Sequence, residues 1–491
     1  MVKPSLSALL AKFSVTVAPD ISFNHLSLNS REIEQGDIFV AVKGHQVDGR
    51  NYIDSAISAG AAAVLADADD EKSHGQIVWH KQVACIYFWR LNQQLSQLAS
   101  AAYFPDGNPL TLVGVTGTNG KSTVTHLIAN LAKLSGIRAA VMGTLGNGEP
   151  GKLVASENTT ADAITIQRQL CEMNQQGYEL VAMEVSSHGL VQQRVASVPF
   201  KVAIFTNLSR DHLDYHGSMA EYGRAKQALF NWPSLECRLI NADDGFGKQL
   251  LQHYPNAQSL SLEDNTADWQ IANLQFSELG ASGYLFSPQT RHEKLTFKSP
   301  LLGRFNADNL LSAIACLQFL GLPLESLLTQ LPALSAVPGR MELFAGKRSV
   351  VVDYAHTPDA LEKALTALRQ HCSGELICIF GCGGDRDKGK RPLMAEIAER
   401  LADQVIVTDD NPRFEDPQAI TDDILLGFNQ AEAVTIIHDR CEAIAHALTH
   451  SRDKDIILVA GKGHESYQII GAEVRDYDER AVVKQLAGAK A

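Results

Sequence analysis

The stretch of this chain with the plainest chemistry is Gly117-Thr118-Asn119-Gly120-Lys121-Ser122-Thr123. An apolar, β-branched run at 110–115 precedes it, and Leu127, Ile128, Leu131 and Leu134 follow at helical spacing. Strand, glycine-broken polar loop, helix is the order of a phosphate-binding loop. Glycines let successive backbone N–H groups converge on one anion, and the helix adds the positive end of its dipole. Lys121 can reach the outer phosphates of a nucleotide, and the Ser122 hydroxyl can ligate Mg²⁺. The fit to G-x-x-x-x-G-K-[ST] is imperfect. Its first glycine should fall at Val115, whereas the glycines are Gly114 and Gly117. The competing reading is a strand-to-helix turn with an incidental lysine, and the correct patterns on both flanks favour a nucleoside triphosphate. The motif does not say what the triphosphate is for.

Further polar clusters follow apolar runs. Glu184-Val185-Ser186-Ser187-His188 ends one, and Thr206-Asn207-Leu208-Ser209-Arg210-Asp211-His212 ends the next. A carboxylate and an imidazole there can complete Mg²⁺ coordination begun by Ser122, although imidazole is an unusual Mg²⁺ ligand. Taken singly, a capping glutamate and a surface histidine explain them equally well. Lys226 falls on the polar side of a helical pattern at 219–230, beside Arg224. Read by itself it is a solvated lysine. Near the C-terminus, Gly381-Cys382-Gly383-Gly384-Asp385-Arg386-Asp387 with Lys388 and Arg391, then Asp409-Asp410-Asn411-Pro412-Arg413, then Gly461-Lys462-Gly463-His464-Glu465, each follow an apolar run. The first lacks the G-x-G-x-x-G spacing of a dinucleotide fingerprint. Three such loops on one sheet edge suit a small zwitterion, with arginines for carboxylates and acids for ammonium groups. The alternative is three ordinary turns.

The elements that position these residues alternate. Residues 1–89 read as a small α/β module, with a strand at 37–42 and a helix–strand pair at 52–65. From about residue 90, a helix carrying Leu91, Leu95, Leu98 and Ala102 leads to the phosphate-loop strand. Further strands are expected at 138–142, 179–185, 202–206 and 238–240. Helical patterns between them imply a parallel sheet covered on both faces. Residues 269–287 read as a hairpin turning at Gly280-Ala281-Ser282-Gly283, and 306–320 as a helix. A second alternation has strands at 349–354, 376–380, 404–408, 434–437 and 456–459. The expected fold is α/β with three domains: a substrate-binding module at 1–89, a central ATPase-like parallel sheet at 90–337 and a Rossmann-like doubly wound domain at 338–491. Ligands of such sheets collect at the C-terminal ends of the strands, where all these polar clusters fall.

Composition narrows the partners. A chain of 491 residues with 45% hydrophobic and 20% charged residues is an ordinary globular protein, and its length suggests about three domains. A net charge of −13 argues against nucleic acid and anionic membranes as partners. An anionic substrate then needs locally placed cations. The eight cysteines are scattered without paired C-x-x-C spacing, which suits a reducing cytoplasm. The N-terminal MVKPSLSALLAKF lacks the continuous apolar stretch and cleavage site of a signal peptide, and no run is long enough for a bilayer. The expectation is a cytoplasmic monomer without membrane insertion.

Together these residues resemble the Mur ligase family, the ATP-dependent amide-forming ligases of peptidoglycan precursor synthesis. The resemblance rests on residues 117–122, 184–188 and 207–212. It also rests on Leu302-Gly303-Arg304-Phe305-Asn306 with Asn309, and on Asp353-Tyr354-Ala355-His356-Thr357-Pro358. Leu28-Asn29-Ser30-Arg31 and Gly44-His45-Gln46 extend it over nearly the whole chain. The family usually has threonine where Ser122 stands, a change that keeps the hydroxyl. Asp410-Asn411-Pro412-Arg413 resembles members that add meso-diaminopimelate, not lysine, as third residue of the stem peptide. The implied substrates are ATP, UDP-N-acetylmuramoyl-L-alanyl-D-glutamate and meso-diaminopimelate. They react through an acyl phosphate in a pathway that serves cell-wall growth, cell shape and division.

The resemblance also implies roles. Gly117, Thr118, Asn119, Gly120, Lys121, Ser122 and Thr123 bind the ATP phosphates. Asn306 and Asn309 contact adenine, and Arg340 and Asp353 line the nucleotide site. Ser122, Glu184, His212 and Lys226 hold Mg²⁺, with Lys226 carboxylated by CO₂ (N6-carboxylysine). Leu28, Ser30, His45, Gln46 and Val47 take the uridine end. Asn158, Thr159, Thr160, Ser186, Gln192 and Arg194 take the muramoyl dipeptide. Arg391, Asp410, Asn411, Pro412, Arg413, Gly461 and Glu465 form the diaminopimelate pocket. Two alternatives compete with this reading. One is another ligase of the superfamily, such as a folylpolyglutamate synthase or MurF, against which the N-terminal matches and residues 410–413 argue. The other is a nucleotide-gated scaffold that has lost catalysis, against which intact Lys121, Glu184, His212 and Lys226 argue.

Overall fold

The computed structural model describes residues 4–16, 18–44, 47–156, 158–290 and 293–488. It consists of α/β layers around three principal sheets. The chain separates into two compact units, one of Met1–Lys121, Gly136–Leu239 and Gln252–Ala257, the other of Ser122–Ser135, Ile240–Leu251 and Gln258–Ala491.

In the first unit, five strands run in the order Leu26–Ser27, Ile38–Ala41, Ala63–Ala68, Val83–Trp89, Ile77–His80. All pairs are parallel except the last. Period-2 alternation gives each face its own core. Ile38 and Val40 pack with Leu91, Leu98 and Ala99 of the helix Leu91–Tyr103. Phe39 and Ala41 pack with Ala56 of the helix Ile53–Ala59. Asp37, expected to open the second strand, stays outside it. Its carboxylate accepts from His25 N and Glu34 N, so it anchors the turn before the strand.

The phosphate-loop strand Thr111–Thr116 lies between Leu180–Glu184 and Val202–Phe205, with Ala139–Gly143 beyond the former, all parallel. Almost every position is buried, as a sheet with both faces covered requires. The chain crosses from one side of Thr111–Thr116 to the other between Leu180–Glu184 and Val202–Phe205. The C-terminal ends of these three strands therefore border a topological switch point.

The second unit contains an antiparallel ladder of Trp269–Ser277, Gly280–Phe286 and Leu295–Ser299. Its first turn is not the expected Gly-Ala-Ser-Gly but Glu278-Leu279. Residues 280–283 lie within the second strand, with Gly280 paired to Ser277 and Ser282 to Gln275. The reason is close approach. A Cβ on Gly280, at φ +137°, would run into the Ser299 backbone, and one on Gly283 would press on Phe297.

The last sheet has the order Glu342–Ala345, Ser349–Asp353, Ile456–Ala460, Leu376–Phe380, Gln404–Val407, Thr435–Ile436. Only its first pair is antiparallel. Leu376, Cys378 and Phe380 enter one core and Ile377 and Ile379 the other, so the sheet is covered on both faces as the doubly wound reading required. A hairpin of Tyr467–Ile470 and Glu473–Asp476 was not anticipated from the sequence. Among the described residues no helix is long and apolar enough to cross a membrane.

Candidate active site

In the first unit, the phosphate loop is held open by the strand end beside it. Thr118 N donates to Asn207 O at 2.8 Å, and Asn119 N to Asn207 Oδ1 at 3.0 Å. Thr206 Oγ1 donates to Asn119 O at 2.6 Å, and Ser209 N to Thr118 Oγ1 at 3.0 Å. Gly117, at φ +151°, has no room for a side chain, because a Cβ would strike Thr206 Oγ1. Lys121 begins the helix Lys121–Leu134, and Ser122 and Thr123 follow in its first turn. The Lys121 ammonium rests on Gly117 O at 2.9 Å and Thr118 O at 2.8 Å.

Lys226 contradicts the reading of a solvated lysine. It is 1% exposed on the helix Met219–Gln227. Its Nζ donates to Gly117 O at 2.7 Å and lies 4.4 Å from the centre of the Tyr222 ring. Burial, reinforced by the charge of Lys121, pulls its pKa well below the usual lysine range, and Asp211 opposes this. Tyr222, which also meets Thr118 Oγ1 at 3.3 Å, was not singled out in the sequence.

Glu184, at its strand's C-terminal end, is 2% exposed. It accepts from Thr144 N at 2.9 Å and Thr144 Oγ1 at 3.2 Å. Gly143 leaves the space that the carboxylate fills. Thr144 Oγ1 also meets Thr159 Oγ1 at 2.9 Å, which makes Thr144 a further residue the sequence did not flag. Thr160, Ser186, Gln192 and Arg194 are brought together here. Thr160 Oγ1 donates to Glu184 O and accepts from Ser186 N, both at 3.0 Å. Arg194 Nη1 donates to Thr160 O at 2.7 Å, and Arg194 Nη2 to Gln192 Oε1 at 2.6 Å. Asn158 is exposed.

His212 is half-exposed, in left-handed backbone at φ +52°, with its Nε2 3.4 Å from Asp211. Its ring is 5.0 Å from His188, whose ring lies 4.1 Å from that of Tyr215 at a tilt of 39°. Burial, then the neighbouring His212, lowers the pKa of both His188 and His216. Leu28 and buried Ser30 follow the strand Leu26–Ser27, and Val47 is exposed. His45 and Gln46 lie outside the described residues.

In the second unit, the three expected loops converge. Gly384 N donates to Asn411 O at 2.9 Å. Lys462, fully buried between Gly461 and Gly463, donates to Asp410 Oδ1 at 3.2 Å, Asn411 Oδ1 at 3.0 Å and Glu465 Oε2 at 3.2 Å. The unanticipated hairpin walls the cluster. Ile469 N donates to Asn411 Oδ1, Gln468 Nε2 to Asp410 O, and Arg413 N to Ile469 O. Arg413 Nη1 donates to Gly384 O at 2.9 Å. Arg391 is wholly buried and committed to Asp423 at 2.7 Å and Glu415 at 3.0 Å.

Asn306 and Asn309 are buried on the helix Arg304–Phe319 and linked to each other at 3.3 Å. Asp353 accepts from Met341 N and Ala355 N, and burial raises its pKa despite Arg340. The Arg340 guanidinium lies over Tyr354 at 4.6 Å.

Three family models match in turn: the Mur ligase family catalytic domain at 22–103, the Mur ligase middle domain at 115–317 and the Mur ligase glutamate ligase domain at 339–463. The chain is 48% identical to the UDP-N-acetylmuramoyl-L-alanyl-D-glutamate–2,6-diaminopimelate ligase of Haemophilus influenzae, over 94% of this chain and 96% of that one. The chain belongs to the Mur ligase family. This Mur ligase has the family's three-domain α/β fold and is an enzyme of the ligase class. A solved structure of a UDP-N-acetylmuramoyl-L-alanyl-D-glutamate–2,6-diaminopimelate ligase superposes with a TM-score of 0.73 at 36% identity, covering 99% of both chains. MurF from Thermotoga maritima in complex with ADP superposes at 0.61 with 20% identity, over 94% of this Mur ligase and 96% of that chain, a likeness of fold alone.

Proposed function

We propose that this Mur ligase joins an amine of meso-2,6-diaminopimelate to the side-chain carboxylate of the D-glutamate in UDP-N-acetylmuramoyl-L-alanyl-D-glutamate, consuming ATP and releasing ADP and phosphate. The observation that carries the reading is 48% identity spread over 94% of the chain to a ligase of that name. The mixed-charge cluster around Lys462 suits the zwitterionic far end of diaminopimelate.

A carboxylate is a poor electrophile. Its oxygen therefore attacks the γ-phosphorus of ATP, ADP leaves, and an acyl phosphate forms. The amine attacks the acyl carbon, phosphate departs with the C–O bond electrons, and the nitrogen gives up a proton. Residues 117–123 cradle the phosphates, and Lys121 turns from the loop carbonyls to the transferred group, where charge accumulates. Asn306 and Asn309 serve adenine, with Arg340 and Asp353 lining the same nucleotide site. Leu28, Ser30, His45, Gln46 and Val47 serve the uridine end. Asn158, Thr159, Thr160, Ser186, Gln192 and Arg194 serve the muramoyl dipeptide. Arg391, Asp410, Asn411, Pro412, Arg413, Gly461 and Glu465 form the amino-acid pocket. Arg391 acts there by fixing the loop through Glu415. The uridine end falls to residues 1–89, the ATP phosphates, adenine and muramoyl dipeptide to 90–337, and the amino acid, with Arg340 and Asp353 of the nucleotide site, to 338–491; the enzyme works as a cytoplasmic monomer.

Mg²⁺, when bound, supplies positive charge to the phosphoryl oxygens. Ser122, Glu184, His212 and Lys226 are the residues to hold it. The Glu184 carboxylate and Ser122 hydroxyl are hard oxygen donors that fit, whereas His212 is a softer nitrogen donor. Lys226 fits only once carboxylated. Its neutral amine adds to CO₂, loses a proton and becomes an oxygen-bearing anion. The depressed pKa of this buried lysine favours the neutral amine that the reaction needs.

The test is phosphate release from ATP with the UDP-muramoyl dipeptide and either diaminopimelate or lysine, with the product weighed by mass spectrometry. Diaminopimelate-dependent release with the tripeptide mass is expected. Release with lysine alone, or with neither amino acid, overturns the reading.

A further inference from the structure

The amino-acid pocket contains a buried cation that no substrate role accounts for. Lys462 sits in a Gly-Lys-Gly turn, flanked by Gly461 at φ +120° and Gly463 at φ +54°. A Cβ on Gly463 would collide with Tyr354, so the turn is available only to glycine and it delivers the lysine inward. The ammonium has three protons and three acceptors, on Asp410, Asn411 and Glu465.

These bonds dictate which way Asn411 faces. Its Oδ1 receives Lys462 Nζ at 3.0 Å and Ile469 N at 2.9 Å, and its Nδ2 donates to Glu465 Oε2 at 3.2 Å. A flipped amide would set NH₂ against an ammonium and a backbone N–H, and its oxygen against a carboxylate. With both oxygen lone pairs occupied, Asn411 has only an N–H left to offer a ligand. Lys462 also sets the charge. Asp410 and Glu465 both pair with Lys462 at 3.2 Å, and Arg413, held by Gly384 O and Asn411 O, is the second cation of the cluster, so two acids are set against two cations.

We propose that Lys462 is a specificity-determining positioning residue: it locks Asn411 as a hydrogen-bond donor and balances the pocket so that it takes an amino acid whose far end bears both an ammonium and a carboxylate. The inference rests on the diaminopimelate reading above and explains how that pocket rejects lysine. Without Lys462 the pocket carries one excess negative charge and Asn411 is free to turn its oxygen outward. Both changes favour lysine's lone ammonium.

Two experiments test this. In the first, Lys462→Met, an uncharged side chain of similar length, is compared with wild type for kcat/KM on diaminopimelate and on lysine. The ratio of the two should fall by roughly 10- to 100-fold, the size of a hydrogen bond to a charged group. The KM for ATP should be unchanged. A merely structural lysine would lower both rates together and leave the ratio alone, and that result overturns the proposal. The second needs only wild-type enzyme, so it decides the matter even if Lys462→Met does not fold. Lysine lacks the far carboxylate and 2-aminopimelate lacks the far ammonium. A charge-balanced pocket should disfavour both relative to diaminopimelate, within about tenfold of each other, one decade being ~1.4 kcal/mol. Preference for lysine over 2-aminopimelate by more than that factor means a net negative pocket and refutes the charge balance. Failure of wild type to use diaminopimelate at all would instead overturn the proposed function.

Discussion

Replacing Arg413 by alanine isolates one end of the substrate. The backbone of Arg413 is pinned on both sides, its N donating to Ile469 O at 3.0 Å and its O accepting from Gly471 N at 2.6 Å. Nη1 is held by Gly384 O at 2.9 Å and Asn411 O at 3.4 Å. The guanidinium is therefore oriented before substrate arrives, and on the function proposed above its remaining edge, Nε and Nη2, takes the far carboxylate. Two charge-assisted hydrogen bonds of about 1.5–3 kcal/mol each are lost with the side chain. Since the arginine is only partly buried, we expect a total of about 2–4 kcal/mol. That is a fall of roughly 30- to 1,000-fold in kcat/KM for diaminopimelate, at ~1.4 kcal/mol per decade. Alanine inherits the left-handed φ of +53° that arginine already tolerates, so thermal stability should change little. Arg413→Lys keeps the charge without the fork and should fall between. Arg413→Ala also removes one of the two cations set against Asp410 and Glu465, so its preference for diaminopimelate over lysine should narrow, whereas Arg413→Lys keeps that charge and should narrow it less. Steady-state phosphate release with each amino acid, with KM values for ATP and the UDP-substrate as internal controls, measures all of this. An unchanged diaminopimelate KM in Arg413→Ala would mean that the arginine does not read the far carboxylate.

Lys121→Ala should lower turnover by ~10²–10³ with normal circular dichroism, since it removes an electrostatic stabiliser of the phosphoryl group; retained turnover refutes the phosphate-loop assignment. Lys226→Ala should be nearly inactive and partly rescued by an added short-chain carboxylic acid, and ¹³C-bicarbonate should give wild type, but not the variant, a carbamate NMR signal. Asp308→Asn tests a stability linkage. Burial, then the charge of Asp243, pushes the Asp308 carboxyl up to about 7, so the folded state binds its proton more tightly than the unfolded state. The native aspartate therefore costs stability progressively as pH rises from about 4 to about 7. The asparagine variant should melt higher than wild type at pH 8 and not at pH 4; equal melting at both refutes it.

The parallel strands were legible because buried strands read as continuous apolar runs between polar loops, and Leu376–Phe380 falls where the sequence put it. The glycines at 280–283 misled because glycine also permits close strand contact, and pattern alone does not separate that use from a turn. Lys226 was misread for a geometric reason. Residues two apart on a helix point to nearly opposite sides, so the neighbouring Arg224 indicated the wrong face. The informative neighbour is Tyr222, four residues back, on whose ring the ammonium lies. Arg391, Asp410, Asn411 and Glu465 were singled out by resemblance. Lys462, which bonds to three of those four, stood in the quoted motif without a role, because two of its partners, Asp410 and Asn411, lie 52 and 51 residues away in sequence. Thr144 carried no motif at all.

The way this acidic protein handles anionic substrates can be read from its buried cations. A net charge of −13 offers no attractive field, so positive charge has to be built into the sites. Arg391, Arg440 and Lys462 are all 2% exposed or less, and each is matched to carboxylates: Glu415 and Asp423, Glu479 at 2.6 Å, and Asp410 with Glu465. Such pairing is what makes a buried charge tolerable. Lys226 is just as buried, yet among the described residues it has a carbonyl and an aromatic face, and no carboxylate within ion-pair distance. A permanent ammonium in that setting, near Lys121, is costly, which is why its pKa falls. The three paired cations are therefore fixed parts of the architecture. Lys226 is the one whose charge is free to change, and the carboxylation proposed above would make it negative at the site proposed to gather phosphates around Mg²⁺.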